Sequence, residues 1–521
     1  MKTMEFDLIV IGGGATGAGI ALDASLRGLS VALFEQNDFG EGTSSRSTKL
    51  VHGGVRYLEA AVKRLNSAQY ALVKEGLRER EYFLHNASHL AHPIELITPL
   101  YTWHEIPYIY AGLLLYDRIS GKASLGRSRL LSAAKAKAMN PSINPLGLKA
   151  AVSYYDGAFN DSRMVIALLQ SAQEYGAEVY NHHKVTSLLK KEGHVCGVTV
   201  QEKINGSEQH YHAKSIVNAA GPFVDTVRLL DDPSSKPIMQ CSSGIHIVVD
   251  RKFLPTETGL MIPKTSDGRV LFVLPYRDKC LIGTSDQPAG LSEHPAASKE
   301  EIAYLLENIR RYFDIQITEE EILGSFSGLR PLLLQEKGDT AQLVREHIEH
   351  FSDSGLLTVS GGKWTSYRSM AEQAVDTVAA TLGNRATCQT MKHKVAGSQK
   401  SRSLIMEALQ KMPISPQRAT YLYSLYGDRS LQVLEVCDET PTGHETLHPL
   451  LMTTLGELRY GIRHEYVRKP LDFITRRINI GLTDTRTSQE VLKTICDIME
   501  RELHWSKAQR NTLEKEAIKL C

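Results

Sequence analysis

Residues 6–35 read FDLIVIGGGATGAGIALDASLRGLSVALFE. The unbroken apolar run 6–11 ends in glycines, as expected for a strand buried on both faces of a parallel sheet. Residues 15–28 predict a helix with small residues along one side, and 30–34 predict a second apolar strand that stops at Glu35. Together these form a βαβ unit. Its turn carries Gly12-x-Gly14-x-x-Gly17. Gly12 allows the tight turn, Gly14 lets the backbone approach a pyrophosphate, and Gly17 lets helix and strand pack closely. The pyrophosphate then rests on a helix N-terminus, where unpaired N–H groups and the dipole favour negative charge. Glu35 stands where an acid accepts from a ribose hydroxyl and repels a 2′-phosphate. An ordinary glycine turn has no need of that acid. Flavin and nicotinamide dinucleotides share the fingerprint, so the cofactor is decided elsewhere in the chain.

With 521 residues the chain exceeds one compact core, and two or three domains are expected. Hydrophobic residues at 42% and charged residues at 23% match a soluble globular protein. The balance of 60 Lys+Arg against 59 Asp+Glu argues against a nucleic-acid binder. Seven cysteines, at 196, 241, 280, 388, 437, 496 and 521, form no C-x-x-C pair. They read as reduced thiols of an intracellular protein, with neither a metal site nor a disulfide framework. The N-terminus runs straight into the first strand, without a signal or transit segment. The apolar run 106–116 (IPYIYAGLLLY) is about half of the ~20 residues a bilayer span needs. It fits a buried helix or a segment lying in a membrane interface.

Periodicity predicts an amphipathic helix over 58–84 and further helices over 162–175, 298–313 and 367–382. Strands are expected at 178–190, 194–202, 215–219, 244–250, 269–275 and 279–283. A nucleotide-binding unit is thus interleaved with a β-rich one. The polar, aperiodic stretch 390–403 reads as a linker, and 404–521 reads as helices.

The decisive segment for chemistry is 42–59, GTSSRSTKLVHGGVRYLE, a run of hydroxyls followed by Gly-Gly and charge at a helix start. It resembles the signature of the FAD-dependent glycerol-3-phosphate dehydrogenases, within the glutathione-reductase and amino-acid-oxidase-like flavoproteins. Residues 218–225 (NAAGPFVD), 282–286 (IGTSD), 327–332 (SGLRPL), 361–368 (GGKWTSYR) and 457–465 (ELRYGIRHE) resemble further motifs of that family, in the family's order. The resemblance spans residues 5 to about 505. It implies an α/β fold: a Rossmann-like FAD-binding domain interleaved with a β-rich substrate domain, plus an all-α C-terminal domain. The boundaries expected are 1–395 for the interleaved part and 396–521 for the helical one. Within the first, 1–90, 150–230 and 320–390 serve FAD, and 91–149 and 231–319 serve the substrate.

The implied reaction oxidises sn-glycerol 3-phosphate to dihydroxyacetone phosphate. It needs cations for the phosphate, a base at the C2 hydroxyl and a hydride acceptor, which is flavin N5. Arg330 and Arg56 are the phosphate candidates, because a planar guanidinium binds phosphate bidentately; the alternative for each is a structural arginine. Tyr57 donates to substrate or simply packs. Lys363, after Gly361-Gly362 and before a helix, is placed to stabilise negative charge at flavin N1/O2. His52 and His246 lie beside apolar strands, where a neutral imidazole accepts a proton, and both stay open as the base. The resemblance also implies Glu35 at the adenosine ribose and the Val185 backbone at adenine. It further implies Thr43, Ser44 and Ser45 near pyrophosphate or flavin, Ala219 and Gly221 along the dinucleotide, and Thr365 beside the isoalloxazine. Without a tethering His or Cys motif, the FAD is expected to be non-covalent.

Between Arg459 and Arg477 stand six basic residues against Glu465 and Asp472. They read as a solvated helix face or as a contact for anionic lipid, worth about 1 kcal/mol per cation. The family implies a cytoplasmic enzyme, peripheral on the inner face of the cell membrane and passing electrons to quinone, with 93–119 as a second contact. A homodimer is compatible with this reading. The chain resembles the shorter bacterial form, since no D-x-[DN]-x-[DN]-G calcium loop is present. Phe223 stands where the family has Trp, and Gly461 where it has Ala. Two rivals are an oxidase that reduces O2 and a flavin-binding, membrane-associated partner without turnover.

Overall fold

The computed structural model describes residues 5–54, 67–265, 267–314, 316–334 and 347–520. β1 (Glu5–Ile11), α1 (Ala15–Leu26) and β2 (Val31–Phe34) form the expected unit. β1 lies parallel between β2 and the strand Glu208–Asn218. The parallel series continues to Leu357–Gly361 on one side and Glu178–Tyr180 on the other. Leu8 and Val10 face the core under α1, whereas Ile9 and Ile11 face the opposite one. That alternation is why the strand reads as continuously apolar. Helices Asp161–Glu174 and Tyr367–Leu382 flank α1 and complete its core.

The second, larger sheet is mixed. Its site-bearing part pairs Met239–Asp250 antiparallel with Ile322–Leu333 on one side and Lys279–Gly283 on the other. Strands Ala91–Leu100 and Ala150–Phe159 extend it toward Leu50–Val51. Helix Lys299–Arg310, opened by a Ser298/Glu301 capping box, covers its apolar face.

Several expectations shift. The strand expected at 178–190 is two, Glu178–Tyr180 and His183–Lys191, because His182 takes a left-handed conformation (φ 57°). The strand expected at 244–250 starts at Met239, and the one at 215–219 starts at Glu208. Their polar first halves lack apolar alternation and are held by backbone pairing to neighbouring strands. The helix expected over 58–84 lies outside the described residues as far as 66 and is described as Ser67–Asn86. The stretch 390–403 is not a loose linker. Val395 N donates to Asn86 O at 3.0 Å, Ala396 N to Ser171 Oγ at 2.8 Å, and 395–398 are buried.

Beyond residue 401 the chain is helical, with two apolar cores of its own. It is bound to the rest by a buried bidentate pair. Arg163 Nη1 and Nη2 donate to the Glu465 carboxylate at 2.5 and 2.6 Å.

Candidate active site

The fingerprint turn forms one wall of a cavity of about 650 Å³, lined among others by Gly12, Gly14, Glu35, Val185, Gly221 and Lys363. Gly12 has φ 110°, and a Cβ on Gly17 would stand 1.9 Å from Gly12 O, so neither accepts a side chain. Glu35 Oε2 accepts from Gly13 N at 2.8 Å and its Oε1 from Asn37 N at 2.9 Å. Burial pushes the Glu35 carboxyl above its ordinary range, against the pull of those two donors. Ser44 Oγ accepts from Ala15 N at 2.9 Å, and Thr43 Oγ1 donates to Leu329 O at 2.5 Å. Ser45 Oγ is buried and finds no hydrogen-bond partner among the described residues. Ala219 backs onto Gly12, lining the same cavity as Thr43, Ser44 and Gly221.

Gly361 (φ 89°) and Gly362 (φ 70°) turn the chain into Lys363, whose N–H donates to Ser366 Oγ at 3.2 Å. One helical turn, Trp364–Ser366, and the helix Tyr367–Leu382 follow, so the Lys363 cation and a helix N-terminus converge on the cavity. Trp364 Nε1 donates to Ser44 O at 2.8 Å and closes the wall. Thr365 and His52 are joined through backbone: His52 N donates to Thr365 Oγ1, which donates to His52 O, both at 3.3 Å. A cavity walled by two helix N-termini, with the Glu35 carboxylate and Lys363 among its lining residues, suits a flavin dinucleotide. The Gly12–Gly17 cradle fits that occupant, whereas Ser45 is not among the cavity's lining residues.

A second cluster lies on the mixed sheet. His246 pairs across the strands with Phe326 and Gly283. Its ring stacks on Phe326 (centroids 4.9 Å, planes 17° apart) and fills the space over Gly283, where a Cβ would meet Cδ2 at 2.1 Å. Nε2 and Thr48 Oγ1 are 3.0 Å apart, and Nδ1 has no partner among the described residues. Burial, then the Lys49 and Arg330 cations, hold this imidazole well below its usual pKa, so it is neutral near pH 7. Arg330 stands on the same face two register steps away, opposite Ser242. Its guanidinium lies over Gly244, where a Cβ would be 2.1 Å from Nη2. Nη1 meets Asp286 Oδ1 at 2.9 Å and Ser243 O at 3.1 Å, and Nη2 meets Thr284 Oγ1 and Ser285 O at 3.0 and 2.9 Å. Gly244 pairs with Gly328 between them, with the Arg330 guanidinium packed over Gly244 and Arg46 over Gly328.

Sequence reasoning missed Thr48, the stacking Phe326, and the Lys49–Asp161 pair, whose Nζ lies 2.6 Å from both carboxylate oxygens. It also left Asp286 without a role. Arg56 and Tyr57 lie outside the described residues.

Residues 7–368 match the family model described as FAD dependent oxidoreductase, and 388–510 match the C-terminal domain of alpha-glycerophosphate oxidase. The chain is 41% identical to the probable mitochondrial glycerol-3-phosphate dehydrogenase of Caenorhabditis elegans, over 99% of this chain and 73% of that protein. The chain belongs to the FAD-dependent oxidoreductases, among the glycerol-3-phosphate dehydrogenases. Against the mitochondrial enzyme of Mesocricetus auratus the identity is 39%, over 99% of this chain and 73% of that one. The crystal structure of the glycerol-3-phosphate dehydrogenase from Bacillus halodurans complexed with FAD superposes with a TM-score of 0.82 at 30% identity. It covers 99% of this chain and 95% of that one. The α/β fold with a helical C-terminal domain is that of this FAD-dependent family.

To the two readings of the basic run 459–477, a solvated helix face or a lipid contact, the structure adds the carboxylate partners of each cation. Arg459 and Arg463 pair with Glu502 and Glu439, Arg468 with Glu202 and Lys469 with Glu516. Arg476 and Arg477 are buried on Asp38. These are tertiary ion pairs between elements distant in sequence, which charge patterning alone does not reveal. No helix among the described residues is long and apolar enough to cross a membrane.

Proposed function

We propose that this member of the family oxidises sn-glycerol 3-phosphate to dihydroxyacetone phosphate and hands the electrons to a quinone at a membrane surface. The observation carrying the reaction is the neutral His246 and the Arg330 cation on one face of the mixed sheet, two register steps apart. When bound, FAD supplies the hydride acceptor at N5. The substrate hydroxyl at C2 donates its proton to His246, with Thr48 Oγ1 holding the ring at Nε2. His52, bonded through its backbone N–H to Thr365 Oγ1, is the alternative base. Arg330 donates to the phosphate, and the cationic part of its charge is offset by Asp286. A dianion therefore calls for a further cation, and Arg56, with Tyr57 beside it, is assigned that part. Lys363 and the helix behind it hold negative charge at flavin N1/O2. In the same reading Glu35 accepts from the adenosine ribose and Val185 backs the adenine. Gly12, Gly14, Thr43, Ser44, Ala219 and Gly221 line the dinucleotide, with Thr365 at the ring. The division into interleaved cofactor and substrate parts before residue 396 belongs to the proposal.

The membrane contact is assigned to the helix Glu105–Ser120 and its surroundings. Trp103 is 70% exposed, Tyr108 46% and Leu114 42%, and Lys149 Nζ lies 5.9 Å from the Trp103 ring centroid. Aromatic and apolar side chains flanked by lysine suit an interface between headgroups and acyl chains. Vesicles of anionic phospholipid carrying a quinone should raise the turnover of the enzyme with glycerol 3-phosphate, and Trp103→Glu should lower vesicle binding. Steady peroxide release in air with no gain from quinone would instead identify an oxidase.

A further inference from the structure

The loop between β2 and Leu50 forms one wall of the dinucleotide cavity, through Asn37, Glu41 and Ser44 among others. Internal bonds turn it, Glu41 N to Asp38 O and Ser45 N to Gly40 O, both at 3.1 Å, and ties to distant segments hold it in place. Its fixed point is Asp38, fully buried beside the cavity. Arg477 donates to Asp38 through Nη1 at 2.7 Å and Nη2 at 3.0 Å, Arg476 donates through Nε, and Asn181 Nδ2 donates to Oδ1 at 2.9 Å. Arg476 Nη2 also reaches Glu41 at 3.2 Å, and Glu41 Oε2 accepts from Asp38 N at 3.1 Å. Asp472 on the same helical turn takes His182 Nε2 at 2.9 Å, while His182 N donates to Asn37 O at 2.7 Å. Three ties thus run from residues 472–477, in the helical C-terminal region, to residues 37, 38 and 41 of the cavity wall.

The ties are built rather than incidental. Arg477 is anchored from behind by Nε to Glu465 O at 2.8 Å, and Glu465 is the partner of Arg163. Burial raises the Asp38 carboxyl, but Arg477 and Arg476 outweigh it and hold the group below the usual carboxylate range. Downstream, Gly40 N donates to Gly13 O at 3.0 Å, so the position of Asp38 is passed on to the fingerprint turn. We propose that Arg476 and Arg477 are positioning residues for FAD. The C-terminal helical region clamps the adenosine-side loop in its binding conformation, so cofactor affinity depends on a part of the chain that does not line the cavity. Pre-organising a loop removes an ordering cost from binding, and a guanidinium bridging two carboxylates does this with little slack.

The inference rests on FAD occupying the cavity, and dilution of the yellow holoenzyme tests both. Flavin fluorescence, quenched when bound, is followed as FAD dissociates. Arg476→Gln should raise the Kd for FAD about tenfold or more, with Arg476→Lys in between because it keeps the charge but not the bridge to both carboxylates. Arg459→Gln, which removes a C-terminal ion pair away from the loop, should leave the Kd within about twofold. Equal Kd values for Arg476→Gln and the wild type, or equal shifts for Arg476→Gln and Arg459→Gln, would overturn the proposal. Should Arg476→Gln fail to fold, Asp472→Asn, outside the cavity lining, loosens the Arg476 and His182 ties and should still weaken FAD measurably; an unchanged Kd would overturn it equally. A wild-type protein that carries no flavin would contradict the cofactor assignment instead.

Discussion

Replacing His246 by glutamine should lower kcat/KM for glycerol 3-phosphate by about 10²–10⁴-fold, the range ascribed to a positioned general base, while the protein keeps its flavin. Glutamine retains a polar group toward Thr48 but offers no nitrogen that accepts a proton. The ring sits 2% exposed between Phe326 and Gly283, so only a planar side chain fits. The pH dependence has a defined sign. A base works in its neutral form, and burial together with Lys49 and Arg330 lowers the pKa of this imidazole. The free enzyme should therefore stay active below the ordinary histidine range, without losing activity as pH falls through about 6.5. Arrival of a phosphate dianion opposes those cations and raises the pKa toward the working range, which makes the bound imidazole a better base. Steady-state rates from pH 5 to 8, for the wild type and for His246→Gln and His52→Gln, separate the two histidines. Full activity in His246→Gln with loss in His52→Gln would assign the proton to His52.

Arg330→Ala should raise KM by tens to thousands of fold, about 2–5 kcal/mol for truncating a desolvated ion pair, with the FAD retained. Part of that effect arises from Asp286, which loses its guanidinium partner. The companion substitution Asp286→Asn separates the two. It leaves the Arg330 charge in place, so KM should stay near the wild-type value or fall, since the phosphate no longer competes with a carboxylate. Equal losses in both variants, expressed as protein stability and not as KM, would make Arg330 a structural residue. Loss of flavin from Arg330→Ala would move it to the cofactor site.

How much was legible beforehand follows from the range of the interactions involved. The βαβ unit and Glu35 are local: a strand, a glycine turn and an acid within 30 residues carry their own periodicity and spacing. Lys363 was legible for the same reason, between Gly-Gly and a helix start. His246 and Arg330 were visible as separate motifs, but their common face depends on the register that sets Gly244 opposite Gly328. No pattern in either strand announces that register, since the polar half of Met239–Asp250 does not alternate. The Lys49–Asp161 pair joins positions 112 apart, and the Asp38–Arg477 pair positions 439 apart. Burial and partner choice across such distances leave no local trace. The run 459–477 shows the converse: six cations read as a surface because their carboxylates lie on other helices, on a hairpin and, for Arg476 and Arg477, on the loop at Asp38.

The most direct test of the account is to add glycerol 3-phosphate to the yellow holoenzyme in the absence of oxygen and of any acceptor, and to record the flavin absorbance. Hydride transfer predicts prompt bleaching of the oxidised flavin band with one dihydroxyacetone phosphate formed per FAD, and return of the yellow colour when a quinone is supplied. A spectrum that stays oxidised at saturating substrate would contradict it.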